Sequence, residues 1–137
     1  MTTAITLHMT SRIGDDTIER TLKGRYHLKD GQAKLMYRQT LEEGKEAVTE
    51  IITVDLDRDG SPVKAVIRRP GSGFELVLVQ GQKSSMDYQT PAGAMTVTAS
   101  AMAVEGAFEE ERLRLALAYQ LDLGGYQTQA GITIESL

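Results

Sequence analysis

The sequence predicts an all-β fold of about 8–10 antiparallel strands in one domain spanning residues 1–137, closed into an up-and-down barrel, with a sandwich as the alternative. Three observations carry this. Apolar and polar residues alternate with period two along almost the whole chain, as they do when one face of each strand is buried. Turn signals separate the alternating runs at short intervals, the spacing of an antiparallel sandwich or barrel. Finally, so many amphipathic strands would leave sheet edges open to aggregation, and closure into a barrel removes those edges.

Ile5, Leu7 and Met9 open the pattern, alternating with Thr6, His8 and Thr10. Ile18, Leu22, Tyr26 and Leu28 then alternate with Glu19, Thr21, Lys23, Arg25 and His27. Leu35, Tyr37 and Leu41 share one parity, with Lys34, Arg38 and Thr40 on the other. Further β-rich runs cover 48–56, 63–69, 74–79, 95–99 and 132–135. Gly14-Asp15-Asp16, Asp30-Gly31, Glu43-Gly44, the 57–60 stretch, Pro70-Gly71 and Gly124-Gly125 supply the turns.

The 108–123 stretch sets propensity against pattern. Glu109-Glu110-Glu111 and the Arg, Ala and Leu residues after it are good helix formers. In a helix, however, alternate residues stand ~200° apart, so Leu113, Leu115, Leu117, Tyr119, Leu121 and Leu123 would divide between opposite sides. As a strand all six face one way, opposite Arg114, Ala116, Ala118, Gln120 and Asp122. Burying one face decides the energetics, so 113–123 reads as strand.

Composition narrows the function. The chain has no Cys, which excludes disulfides, thiolate nucleophiles, Cys-ligated zinc and iron–sulfur clusters. Fifteen basic against 19 acidic residues give a net charge of −4. That balance speaks against nucleic acid as a partner, although an acidic chain can still carry a local basic patch. No stretch approaches the ~20 apolar residues of a membrane-spanning helix, and the opening residues lack the basic and apolar regions of a signal peptide. The expectation is a cytoplasmic protein with no membrane partner.

Several short motifs are shared with a known family. Ile5-Thr6-Leu7-His8, Gly24-Arg25-Tyr26, Leu35-Met36-Tyr37 and Arg69-Pro70-Gly71 occur in order, followed by Gly81 and Tyr88-Gln89-Thr90-Pro91-Ala92-Gly93. Glu109-Glu110-Glu111 then precedes a strand containing Ala118-Tyr119. In these residues the chain resembles the YwiB-like family of small bacterial proteins of unknown function, over nearly its whole length. The resemblance implies a lipocalin-like (calycin-type) antiparallel barrel and brings no activity and no catalytic residues. Pro70 departs from the pattern, standing where a small polar residue is expected, and would stiffen the turn.

Arg69 is the leading candidate site residue. It shares parity with Val63, Ala65 and Ile67, which aims it at the apolar side, where a guanidinium needs a carboxylate, carbonyls or a ligand anion. Closing the barrel end through loop carbonyls, or turning outward at a bulge before Pro70, are the structural alternatives. Tyr26, Tyr37, Tyr88 and Tyr119 fall on apolar parities, where their hydroxyls could line a cavity or simply serve as core aromatics. Thr90 and Pro91 are loop candidates at a strand end.

Other features read as structural. His8 and His27 fall on polar parities without metal-ligand spacing. Asp55, Asp57 and Asp59 resemble the start of a calcium loop, but Val66 stands where the bidentate Glu belongs, which leaves an acidic hairpin turn. Gly71-Ser72-Gly73 lacks the Lys and helix of a phosphate loop. Arg20, Lys23, Arg25 and Lys29 form a basic cluster on or near one strand, with Lys23, Arg25, His27 and Lys29 on one face. Such a stripe could meet RNA or an acidic partner, but without interleaved exposed aromatics it reads as a solvated outer face paired with Glu19 and its acidic neighbours.

The leading functional expectation is a non-enzymatic barrel holding a small, partly apolar, anionic ligand in or at its mouth, without cofactor or metal. Arg69 would anchor the charge and Tyr26, Tyr37, Tyr88 and Tyr119 would line the cavity. A filled barrel acting through its outer surface or a homodimer interface is the alternative. An enzyme on the rim, built from Tyr, Arg and a carboxylate, is the third reading.

Overall fold

Alternating burial is realised in ten strands: β1 (Thr3–Ile13), β2 (Asp16–Lys29), β3 (Gln32–Gln39), β4 (Val48–Leu56), β5 (Pro62–Arg69), β6 (Phe74–Val79), β7 (Lys83–Thr90), β8 (Gly93–Phe108), β9 (Leu113–Leu123) and β10 (Tyr126–Ser136). The computed structural model describes residues 2–40, 44, 46–90 and 93–137, with 88–90 described by backbone alone. Leu41, Glu43, Pro91 and Ala92, used in the sequence reading, lie outside the described residues.

The strands form one antiparallel sheet in the order β6-β5-β4-β3-β2-β1-β10-β9-β8-β7. Except for β6 and β7, each strand pairs with its neighbours in sequence, and β1 pairs with β10, which joins the two halves of the meander. The two edges, β6 and β7, lie against each other, and β8 packs on both β5 and β6. The turn between β6 and β7 bonds to β8, with Gly81 N donating to the Ala101 carbonyl at 3.0 Å. Across the seam the Ser84 hydroxyl donates to the Val77 carbonyl. The result is a nearly closed up-and-down barrel, consistent with the lipocalin-like architecture expected.

Strand β9 confirms that pattern outweighs propensity: Leu113, Leu115, Leu117 and Tyr119 are buried while Arg114 is exposed. The Glu-rich segment before it closes a turn, Glu109 N donating to the Arg112 carbonyl at 2.8 Å. Strand β8 extends well beyond the 95–99 run read from sequence, because a bulge between Ala101 and Ala103 shifts the register. Inward burial passes from Val97, Ala99 and Ala101 to Val104, and Met102 is turned out to 55% exposure.

The largest fully buried side chains include Tyr26, Tyr37, Leu7, Met9, Ile52, Leu78, Leu115 and Ile134. Burial of each aliphatic member is worth roughly 1.5–3 kcal/mol. Gly24 is part of this packing: a Cβ there would lie 2.6 Å from the Met36 carbonyl oxygen and 3.3 Å from Tyr37 Cβ. At the β2–β3 hairpin Asp30 and Gly31 take φ of 52° and 76°, the two left-handed residues of a tight hairpin turn. Apolar residues inside and polar ones outside are the reverse of a membrane-spanning barrel. No helix among the described residues is long and apolar enough to cross a membrane.

Candidate functional site

Four polar residues occupy inward-facing positions near one end of the barrel: Arg20 on β2, Gln39 at the end of β3, Glu50 on β4 and Arg69 at the end of β5. Strand register explains each. Arg20 pairs with buried Met9, Glu50 with buried Tyr37, and Arg69 with Phe74 at the β5–β6 hairpin.

Glu50 is the centre of the group and is only 2% exposed. Its Oε1 accepts from the Tyr37 hydroxyl and from Gln39 Nε2 at 3.2 Å. Its Oε2 accepts from Arg69 Nε at 2.9 Å. Gln39 extends the network, its Oε1 accepting from Arg20 Nη1 at 2.5 Å. The Arg69 guanidinium also lies 4.3 Å from the Phe74 ring centre, a cation–π contact. A buried carboxylate is costly unless paired and hydrogen-bonded, and here three donors satisfy it.

These residues border a cavity of about 220 Å³ at the end of the barrel. Ile13, Ile18, Ile67, Leu76 and Ile132 supply its apolar walls, and Tyr119 joins the lining. With one carboxylate against the guanidiniums of Arg20 and Arg69, the interior group carries a net positive charge. Tyr119 is pushed up to about 12, chiefly by burial and then by the Glu50 charge, with Arg69 opposing. Tyr37 is raised further by burial, by the Glu50 charge and by its hydrogen bond to Glu50. Both phenols are therefore held neutral, and Tyr37 donates to Glu50.

Of the residues singled out from sequence, the structure brings Arg69, Tyr37 and Tyr119 together around Glu50. Arg69 faces inward and meets a carboxylate rather than loop carbonyls. Tyr26 stands apart, opposite Thr3 and Leu35 toward the other end of β2. Its buried hydroxyl has no partner among the described residues, and burial, with Glu109 second, pushes its pKa up to about 12. Tyr88 and Thr90 end β7, their backbones opposite Met95 and Gly93, and Pro91 is outside the described residues. In the acidic turn Asp57 Oδ1 accepts from Asp59 N at 2.9 Å and Ser61 N at 3.0 Å.

Sequence reasoning missed Gln39 and Glu50, and grouped Arg20 with the outer basic cluster, whereas it turns to the interior site. The signal was present, since Arg20 has the parity of Ile18 and Leu22, Gln39 that of Leu35 and Tyr37, and Glu50 that of Ile52 and Val54. Each is a polar residue placed in an apolar series near a strand end.

A family model described as "Domain of unknown function (DUF1934)" matches residues 4–132. No curated protein matches the chain. Among solved structures, the crystal structure of the ywiB protein from Bacillus subtilis is similar, with a TM-score of 0.76 and 25% identity. The similarity covers 99% of this chain and 93% of that one.

Proposed function

The chain belongs to the DUF1934 family, which carries no assigned activity, and from that footing we propose that the barrel binds a small, partly apolar anion at its Arg20–Arg69 end. The carrying observation is the convergence of two guanidiniums and one carboxylate on an apolar-walled cavity. Glu50 engages Arg69 through Nε, and Gln39 engages Arg20 through one Nη. A guanidinium has five N–H donors, so donors remain for a carboxylate or phosphate oxygen, which would also balance the local charge. Ile18, Ile67 and Ile132 would take the apolar part of the ligand. At about 220 Å³ the cavity is smaller than the ~300–1,000 Å³ of drug-sized sites, which favours a compact ligand.

Thermal denaturation against a panel of small carboxylates and organic phosphates tests this reading. At least one chemical class should raise the Tm of the native protein and leave that of Arg20→Gln unmoved. A panel without effect on the native protein argues against it.

One observation favours the filled-barrel reading. Away from this end the lumen is packed by side chains such as Leu7, Ile52, Leu78 and Leu115, while Ile13, Ile18 and Tyr126 are 58%, 48% and 68% exposed. A homodimer covering these three would be seen by sedimentation, and Tyr126→Ser would dissociate it.

A further inference from the structure

The outer face of β2 and β3 carries a concentration of positive charge that the interior site does not use. Lys23 and Arg25 on β2, and Lys34 and Arg38 on β3, are all exposed and share the outward parity of their strands. Register sets Lys23 beside Arg38, and like charges directly opposite on paired strands destabilise a sheet. The outward neighbours on β1 are Ala4 and Thr6, and those on β4 are Thr49, Ile51 and Thr53. Glu19, the expected partner of this stripe, instead lies 3.8 Å from His8. Among the described residues none of the four cations is in an ion pair.

The same face holds a shallow outer cleft of about 350 Å³, with Met36 and Thr49 in its lining and Lys23, Arg25 and Arg38 around it. In a chain of net charge −4, three cations around one depression, with Lys34 on the same face, mark a place for external negative charge.

We propose that this face binds the phosphodiester backbone of single-stranded nucleic acid. A second copy is a poor occupant, because the same face would oppose cation to cation. Lys and Arg beside Thr hydroxyls are the donors that meet phosphate oxygens. The face presents no aromatic side chain among the described residues, so binding is by backbone charge, without base stacking. The curved outside of a barrel also suits a flexible single strand better than a rigid duplex. The overall acidity of the chain limits the contact to this patch.

The test is fluorescence anisotropy of a labelled 20-nucleotide oligo(U), with oligo(dT) of equal length as the second probe. Four phosphate contacts to a single strand predict a log–log salt slope of about −3, so affinity falls about fifty-fold between 50 and 200 mM salt. The two oligonucleotides should bind within about threefold of each other, because backbone contacts ignore the base. Lys23→Gln/Arg38→Gln should bind at least tenfold more weakly, while the same charge change on other strands, Lys83→Gln/Arg114→Gln, should cost less than twofold.

The first pair also relieves the repulsion between Lys23 and Arg38, so its Tm should hold or rise. Should it fall, Arg25→Gln is read in its place, between the neutral Ala4 and Met36. Absence of binding by the native protein at 50 mM salt overturns the proposal, as does equal loss in the control pair. Stronger competition by polyglutamate, or by phosphatidylcholine vesicles containing phosphatidylglycerol, also overturns it, in favour of an acidic polypeptide or a membrane. Arg20→Gln should leave oligonucleotide binding unchanged, which separates this surface from the interior site.

Discussion

Glu50 and Arg69 meet at 2.9 Å inside the barrel although 19 residues separate them in sequence. The β4–β5 hairpin makes this contact: Ile51 pairs with Arg68, so one step further toward the barrel end sets Glu50 opposite Arg69. A hairpin thus delivers an acid and a base to the same point of the lumen. The pair orients the guanidinium whose remaining donors are available to a ligand.

Removing one partner should cost more than removing both. Arg69→Ala leaves Glu50 buried without its cation and is expected to lose about 2–4 kcal/mol, below the ~3–5 kcal/mol of a fully enclosed pair because the Arg69 side chain is 24% exposed. Glu50→Leu/Arg69→Met should recover much of that loss. Urea denaturation of the two single variants and the double variant measures the coupling, expected to exceed about 1 kcal/mol. Additive losses would mean the pair is not an energetic unit.

Tyr37→Phe removes one of the donors to Glu50 without opening a cavity. The expected cost is about 1–3 kcal/mol, the range for a buried acceptor deprived of a partner. Gly24→Ala acts on the same tyrosine from behind, since its Cβ would lie 2.6 Å from the Met36 carbonyl oxygen and 3.3 Å from Tyr37 Cβ. It should cost about 1–3 kcal/mol by overpacking. Equilibrium unfolding checks both, and a neutral Gly24→Ala would show that the β2–β3 pair yields easily.

Alkaline pH should unfold the protein through its buried phenols. Tyr26 and Tyr119 are pushed from 10 up to about 12, so the native state holds these protons more tightly than the unfolded chain does. Their contribution is fully present below pH 10 and is lost as pH rises from 10 toward 12, by up to roughly 3 kcal/mol for Tyr119. Melting curves across that window should fall steeply, and less steeply for Tyr119→Phe. A flat profile would mean that these phenols ionise without unfolding the barrel.

The fold was legible because burial of one face per strand imposes period two, and this carried β9 through helix-forming residues. The same rule failed where the chain breaks it: Met102 at the bulge reverses parity, so β8 read as a fragment. In the site, Arg69 was legible as a cation in an apolar series. Its partner Glu50 was passed over within the β-rich 48–56 run, although it has the parity of Ile52 and Val54. Which inward polar residues meet depends on strand register across hairpins, and the spacing within a single strand does not contain it. Tyr26 shows the converse, since parity placed it inside without saying at which end.

The central claim is that the Arg20–Arg69 end holds a small anion, and native mass spectrometry of gently purified protein tests it most directly. The account predicts a stoichiometric adduct on the native protein, released on denaturation as a small carboxylate or phosphate and lost from Arg20→Gln. A bare native mass, together with no thermal shift from either class of anion, would contradict it.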